Sequence, residues 1–132
     1  MMIGLDTNIL VRAITQDDPV LTPLARTALG NLSNERQGVV NAIVLAELAW
    51  TLRTRFAFDR LGIVDLVEAM LRSQSYHFPD RDAINAALSR CREENLHFAD
   101  AMIGELNVKT GCKTTLTSDV EAGKTSLFTM AG

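Results

Sequence analysis

A small three-layer α/β/α domain, with a parallel sheet of four or five strands and helices on both faces, is what this sequence predicts. Three observations carry the prediction. Apolar runs too short for helices recur along the chain, separated by segments of helical length and spacing. Strands separated in this way pair in parallel through crossover connections. The first run, Met2-Ile3-Gly4-Leu5, ends abruptly in Asp6, and a helical apolar pattern follows at Ile9, Leu10, Ala13 and Ile14. Strand, acid at the strand's carboxyl end, then helix is where open α/β sheets keep their ligand sites. Finally, the 132 residues hold no internal repeat, low-complexity tract or dividing linker, so 1–132 reads as one domain able to bury a core.

Each element has a local reason. The first strand covers about 2–5, and its helix runs to about Thr15, with Thr7 and Asn8 supplying the short oxygen-bearing side chains that suit a helix start. Asp17-Asp18-Pro19 is turn punctuation, and Pro19 fits the first turn of a second helix reaching about Leu32. A polar loop, 33–38, precedes Val39-Val40, a pair too short to assign. Asn41 is a good N-cap for a helix over 42–56, and Asp59 for one ending near Ser73. Residues 75–78 alternate weakly, as a strand would. Asp80 then opens a helix to about Asn95, and His97 or Phe98 another, closed near Gly111. Residues 113–117 are rich in β-branched side chains and read as a strand, with 126–130 as the last.

Bulk properties bound the function only loosely. Nearly half of the chain, 47%, is apolar, which argues against a disordered chain. A formal charge of −3 argues mildly against an electrostatic nucleic-acid binder, although a carboxylate cluster would lower the balance without describing the rest of the surface. Ten of the thirteen basic residues are Arg, the better phosphate ligand. Cys91 and Cys112 form no zinc or redox spacing, and Cys91 shares a stripe with Ile84, Ala87 and Leu88, as a reduced core thiol would. The N-terminal apolar run is too short for a signal peptide, and the longest apolar stretch, 42–50, is broken by Glu47; a cytoplasmic protein with no membrane partner is expected.

Four acids hold unusual places. Asp6 ends the first strand, and Asp119 ends the Thr115-Leu116-Thr117-Ser118 segment in the same way. Asp100 lies in a helical first turn, inside the apolar run 98–103. At about 100° per residue it points away from the stripe of Ala99, Met102, Ile103 and Leu106, with Gly104 leaving space beside it. Glu47 faces away from the stripe of Leu45, Leu48, Ala49, Leu52 and Phe56, flanked by Ile43 and Trp50. Singly, each has an ordinary explanation as a cap, a turn residue or a surface acid. Jointly, two acids at strand ends and two on helices that follow strands can converge at one edge of a parallel sheet. Carboxylates so gathered repel, and the natural remedy is a hard divalent cation such as Mg²⁺ or Mn²⁺, one or two ions, which serves phosphoryl chemistry. No Ser–His or Cys–His arrangement and no glycine-rich phosphate loop is legible.

In this order these residues resemble the PIN-domain ribonucleases, in particular the VapC-type toxins of toxin–antitoxin pairs. The motifs are Leu5-Asp6-Thr7-Asn8-Ile9-Leu10 with Arg12, Val44-Leu45-Ala46-Glu47-Leu48-Ala49-Trp50, Phe98-Ala99-Asp100-Ala101-Met102-Ile103 and Leu116-Thr117-Ser118-Asp119. The resemblance implies a Mg²⁺- or Mn²⁺-dependent endoribonuclease cutting single-stranded or loop RNA, inhibited by a cognate antitoxin protein and usually a homodimer. It implies Asp6, Glu47 and Asp100 as core metal ligands and Asp119 as a fourth acid, with Thr7, Asn8 and Thr117 in support. One position departs from the family pattern, which commonly has Phe where Ser118 stands.

Two other classes compete with that reading. A Mg²⁺-dependent phosphatase or receiver-like domain wants a second acid two residues after the first, and Asn8 stands there instead. A non-catalytic RNA- or protein-binding module has no support from a site whose four acids are intact. Arg12 suits either a phosphate contact or an ion pair with a site carboxylate. Arg53 and Arg55 read as solvated and His97 as a polar helix start. Trp50 and Phe58 are candidates for an exposed groove taking an antitoxin helix.

Overall fold

Asn41 and Asp59 cap helices as their side chains require. In the computed structural model, which describes Met1–Gly132, Asn41 Oδ1 accepts from Val44 N at 2.9 Å and opens α3 (Ala42–Arg55). Asp59 Oδ1 accepts from Gly62 N at 2.7 Å and opens α4 (Arg60–Arg72). The first helix, α1 (Thr7–Thr15), follows β1 (Ile3–Gly4) directly. The second, α2 (Leu21–Gly30), begins after Pro19 rather than at it, because the Asp18 carboxylate gathers the Val20 and Leu21 N–H groups; those two bonds lower the Asp18 pKa. Asp80 makes no cap bond to α5 (Arg81–Glu93) and lies instead near Lys109, at 3.8 Å. The sixth helix, α6 (Phe98–Thr110), ends on Gly111, whose φ of 110° is the left-handed conformation that glycine adopts without a Cβ clash.

The expected α/β/α layering is present. All five strands pair in parallel, but in two ladders rather than one sheet. β2 (Gly38–Val39) lies between β1 and β3 (Tyr76–His77), while β4 (Thr115–Thr117) pairs only with β5 (Phe128–Met130). The strands are short, so each ladder is fixed mainly by the helices beneath it. Leu127, just before β5, packs on the bare backbone of Gly104 in α6, where an added Cβ would lie 2.9 Å from Leu127 Cδ1. Gly104 therefore seats the second ladder; the space expected there for the Asp100 carboxylate is filled.

One core of 26 buried residues runs under both ladders, centred on Leu10, Leu45, Leu48, Leu52, Ile84, Leu96 and Met102. Its helices connect through α1 on α2 and α3, α3 on α6, and α5 on α4 and α6. Cys91 belongs to this core; burial, opposed by Arg60, pushes its thiol up to about 12, so it stays protonated. A short helix, α7 (Val120–Gly123), joins β4 to β5 where no element was expected. No helix is long and apolar enough to cross a membrane.

Candidate active site

Thr7 joins the first two acids. Its backbone N–H donates to Asp6 Oδ1 at 2.8 Å, and its hydroxyl donates to Glu47 Oε1 at 2.9 Å across forty residues of sequence. Thr7 is buried, whereas both carboxylates are exposed. The first turn of α1 thus holds the second turn of α3 at a fixed offset, with the acids facing outward. Val at position 7 keeps the volume but loses the donor. Thr7→Val is expected to lower any catalytic rate that depends on the Glu47 carboxylate about 10- to 100-fold, the usual effect of freeing a functional side chain from its brace. Stability should change by less than ~1 kcal/mol, because water can replace the donor at an exposed Glu47. Rate measurements beside thermal melts check this; full activity in the variant would dismiss the bridge as a positioning element.

Asp100 and Asp119 form the second pair. They line one cleft of about 190 Å³ together with Arg53, Asn95, His97 and Glu121. Asp100 is half-buried, and burial followed by the charge of Asp119 raises its pKa above the usual carboxylate range, against smaller opposing effects of His97 and Arg53. Asp119 sits at the N-cap of α7, with Oδ1 accepting from Ala122 N at 3.0 Å, while its own N–H donates to Thr117 Oγ1 at 3.0 Å. The cap reading and the site reading of Asp119 are therefore compatible. His97 contributes a buried Nδ1 with no hydrogen-bond partner; burial and then Arg53 lower its pKa, so the ring is neutral at pH 7.

The α5–α6 turn anchors the segment that carries Asp119. Glu94 accepts from both the N–H and the hydroxyl of Ser126, each at 2.8 Å, and Asn95 donates to Glu121 Oε2 at 3.4 Å. Arg90 adds Nη1 to Ser126 Oγ at 2.5 Å and Nε to Glu105 at 3.0 Å. Sequence periodicity misses this clamp, since its apolar stripe takes in Ile103 and leaves Glu105 out. In the fold Glu105 is 8% exposed and Ile103 50%. The core face of α6 is Phe98, Ala101, Met102 and Glu105, one position round from the predicted stripe, and the Arg90 ion pair is what lets Glu105 enter it.

Other expected contributors divide. Asn8 is exposed and lines a groove of about 390 Å³ between α1 and α2, with Asp6, Arg12, Leu21 and Leu24. Arg12 pairs with Asp17 at 3.4 Å, not with a site acid. Phe58 packs against the core, while Trp50 stays 53% exposed and Ile43 72%, so Glu47 does sit between bare apolar neighbours. Arg53, read as solvated, lines the acid cleft instead. Nothing in the sequence marked it: six residues beyond Glu47, at about 100° per residue, it falls on a different face of the helix.

The acids thus stand as two pairs, Asp6 with Glu47 and Asp100 with Asp119, and no group of three or more His, Cys, Asp or Glu side chains has metal-holding spacing. Their chemistry nonetheless suits a hard cation: every donor is a carboxylate oxygen, and the Asp100–Asp119 repulsion is the kind a divalent ion relieves. The sequence model of the PIN domain matches residues 3–126, nearly the full chain. No curated protein matches it significantly.

Proposed function

The chain belongs to the PIN-domain family, a nuclease-type fold, and from that premise we propose that it is a divalent-metal-dependent endoribonuclease and the toxin of a VapC-type toxin–antitoxin pair. The observation that carries the catalytic reading is the placement of Asp100 and Asp119 in one cleft, where their mutual repulsion has no role in the fold alone. Asp6, Glu47, Asp100 and Asp119 are the residues that would hold Mg²⁺ or Mn²⁺. Bound there, such an ion supplies Lewis acidity that activates water and offsets charge on the leaving oxygen. The chain's own part is positional. Thr7 fixes Asp6 against Glu47, Thr117 fixes the backbone at Asp119, and the Glu94–Ser126 bonds hold the α7 segment beside α6.

An antitoxin segment as partner is supported by the groove between α1 and α2, where exposed Leu21 and Leu24 lie beside Asp6 and Asn8. A peptide seated there would cover the mouth of the acidic site. A homodimer and a cytoplasmic location complete the proposal, with 1–132 as one catalytic domain.

The test is cleavage of an end-labelled structured RNA in Mg²⁺, in Mn²⁺ and in chelator, with Asp6→Asn and Glu47→Gln checked for intact folding. Cuts at a few loop positions that need metal and vanish in both variants are expected. Equal cutting by wild type and variants would remove the assignment.

A further inference from the structure

Arg53 has a setting that its fold does not explain. Arg12 and Arg92 pair with carboxylates, Arg60 and Arg81 donate to main-chain carbonyls, and Arg90 is in the clamp. Arg53 is half-buried in the acid cleft, yet no carboxylate comes within ion-pair distance of it, although its charge is felt by both His97 and Asp100. Five N–H donors so placed, without an acceptor, suit an anionic group entering from outside. One turn earlier on the same helix Trp50 presents an exposed indole, and Trp50, Arg53 and His97 together line a small cavity adjoining the cleft. Residues three apart on a helix are surface neighbours, so cation and aromatic face form one strip leading away from the acids.

Phosphate beside a stacked base is the repeating unit of a single strand, and an Arg with a flanking aromatic is how such strands are held. We propose that Arg53 and Trp50 form the subsite for the nucleotide flanking the scissile bond, Arg53 donating to a non-bridging phosphate oxygen and the Trp50 indole stacking on the base. This rests on the nuclease reading above. It gives the site a directional grip on single-stranded RNA that its net acidity would otherwise deny.

The test uses the full chain carrying Asp100→Asn, in chelator, with a short fluorescent single-stranded RNA and a salt titration. Adding Arg53→Ala should weaken binding about tenfold and flatten the slope of log K against log salt by about 0.7, the share of one single-strand phosphate. Trp50→Ala should weaken binding about tenfold with the slope unchanged, and Trp50→Phe should restore most of it. In the otherwise wild-type chain the same changes should raise KM and leave kcat within about twofold. Unchanged affinity and slope in Arg53→Ala, or an equal loss in Arg55→Ala, would overturn the subsite while metal-dependent cleavage still stood. A wild-type chain that neither binds nor cuts RNA would overturn the nuclease reading, and the subsite with it.

Discussion

Asp100→Asn is expected to give a chain that is more stable than wild type at neutral pH and does not cut RNA. The stability half follows from linkage. Burial and Asp119 raise the folded-state pKa of Asp100 above its ordinary 3.8. Between the unfolded and folded values the native state therefore binds more protons than the unfolded chain, so stability falls as pH rises through that window and stays lowered above it. Asn carries no charge to lose. Its advantage should be largest near pH 7, measured in chelator, and should vanish below about pH 4, where the unfolded carboxyl is protonated as well. The activity half follows from the same carboxylate. On the proposed function Asp100 would be a metal ligand, and losing several kcal/mol of transition-state stabilisation with it would lower the rate by about 10³. A third readout joins them: added Mg²⁺ or Mn²⁺ should raise the wild-type melting temperature by mass action and leave the variant nearly unmoved. Melts across pH 4 to 8 with and without the ion decide the matter. A variant less stable than wild type at pH 7 in chelator would mean that the Asp100 charge is satisfied by the fold and that no repulsion awaits a ligand.

What could be read from the sequence was whatever depends on neighbours along the chain. Caps at Asn41 and Asp59, the stop at Gly111 and the acids at strand ends are local matters, decided by one side chain and the backbone within a turn of it. What could not be read depends on pairing across the fold. Glu105 enters the core only because Arg90, fifteen residues earlier, meets it there, and periodicity alone can only count Glu105 as polar. Val39-Val40 is too short an apolar run, with no flanking alternation, to mark β2, and nothing in the sequence of Thr115–Thr117 says that its ladder stays apart from that of β1. The same limit governs the site. Asp6 and Asp100 stand out by type and place, but Arg53 differs from Arg55 only in the face of α3 it occupies, and that face is set by α6.

Removing Arg90 should be the most destabilising single change to a charged residue in this chain. Glu105 is 8% exposed, and Arg90 Nε is its cation at 3.0 Å. Breaking a fully buried pair costs about 3–5 kcal/mol, because a charge stays behind without a partner. The Arg90 side chain is 36% exposed, so water reaches the pair and the figure for Arg90→Ala is discounted to about 2 kcal/mol. At a urea slope of 1–3 kcal/mol per M that lowers the midpoint by about 1 M. Replacing both partners, Arg90→Met with Glu105→Met, removes the stranded charge and should recover much of the loss, so the double variant should be more stable than Arg90→Ala. Activity separates the two roles of the clamp. Arg90 also holds Ser126, and through it the α7 segment bearing Asp119, so the repaired double variant should still cut about tenfold more slowly than wild type. If repairing the core also repairs the rate, Arg90 serves stability alone, and Glu94, with its two bonds to Ser126, is sufficient to hold Asp119 in place.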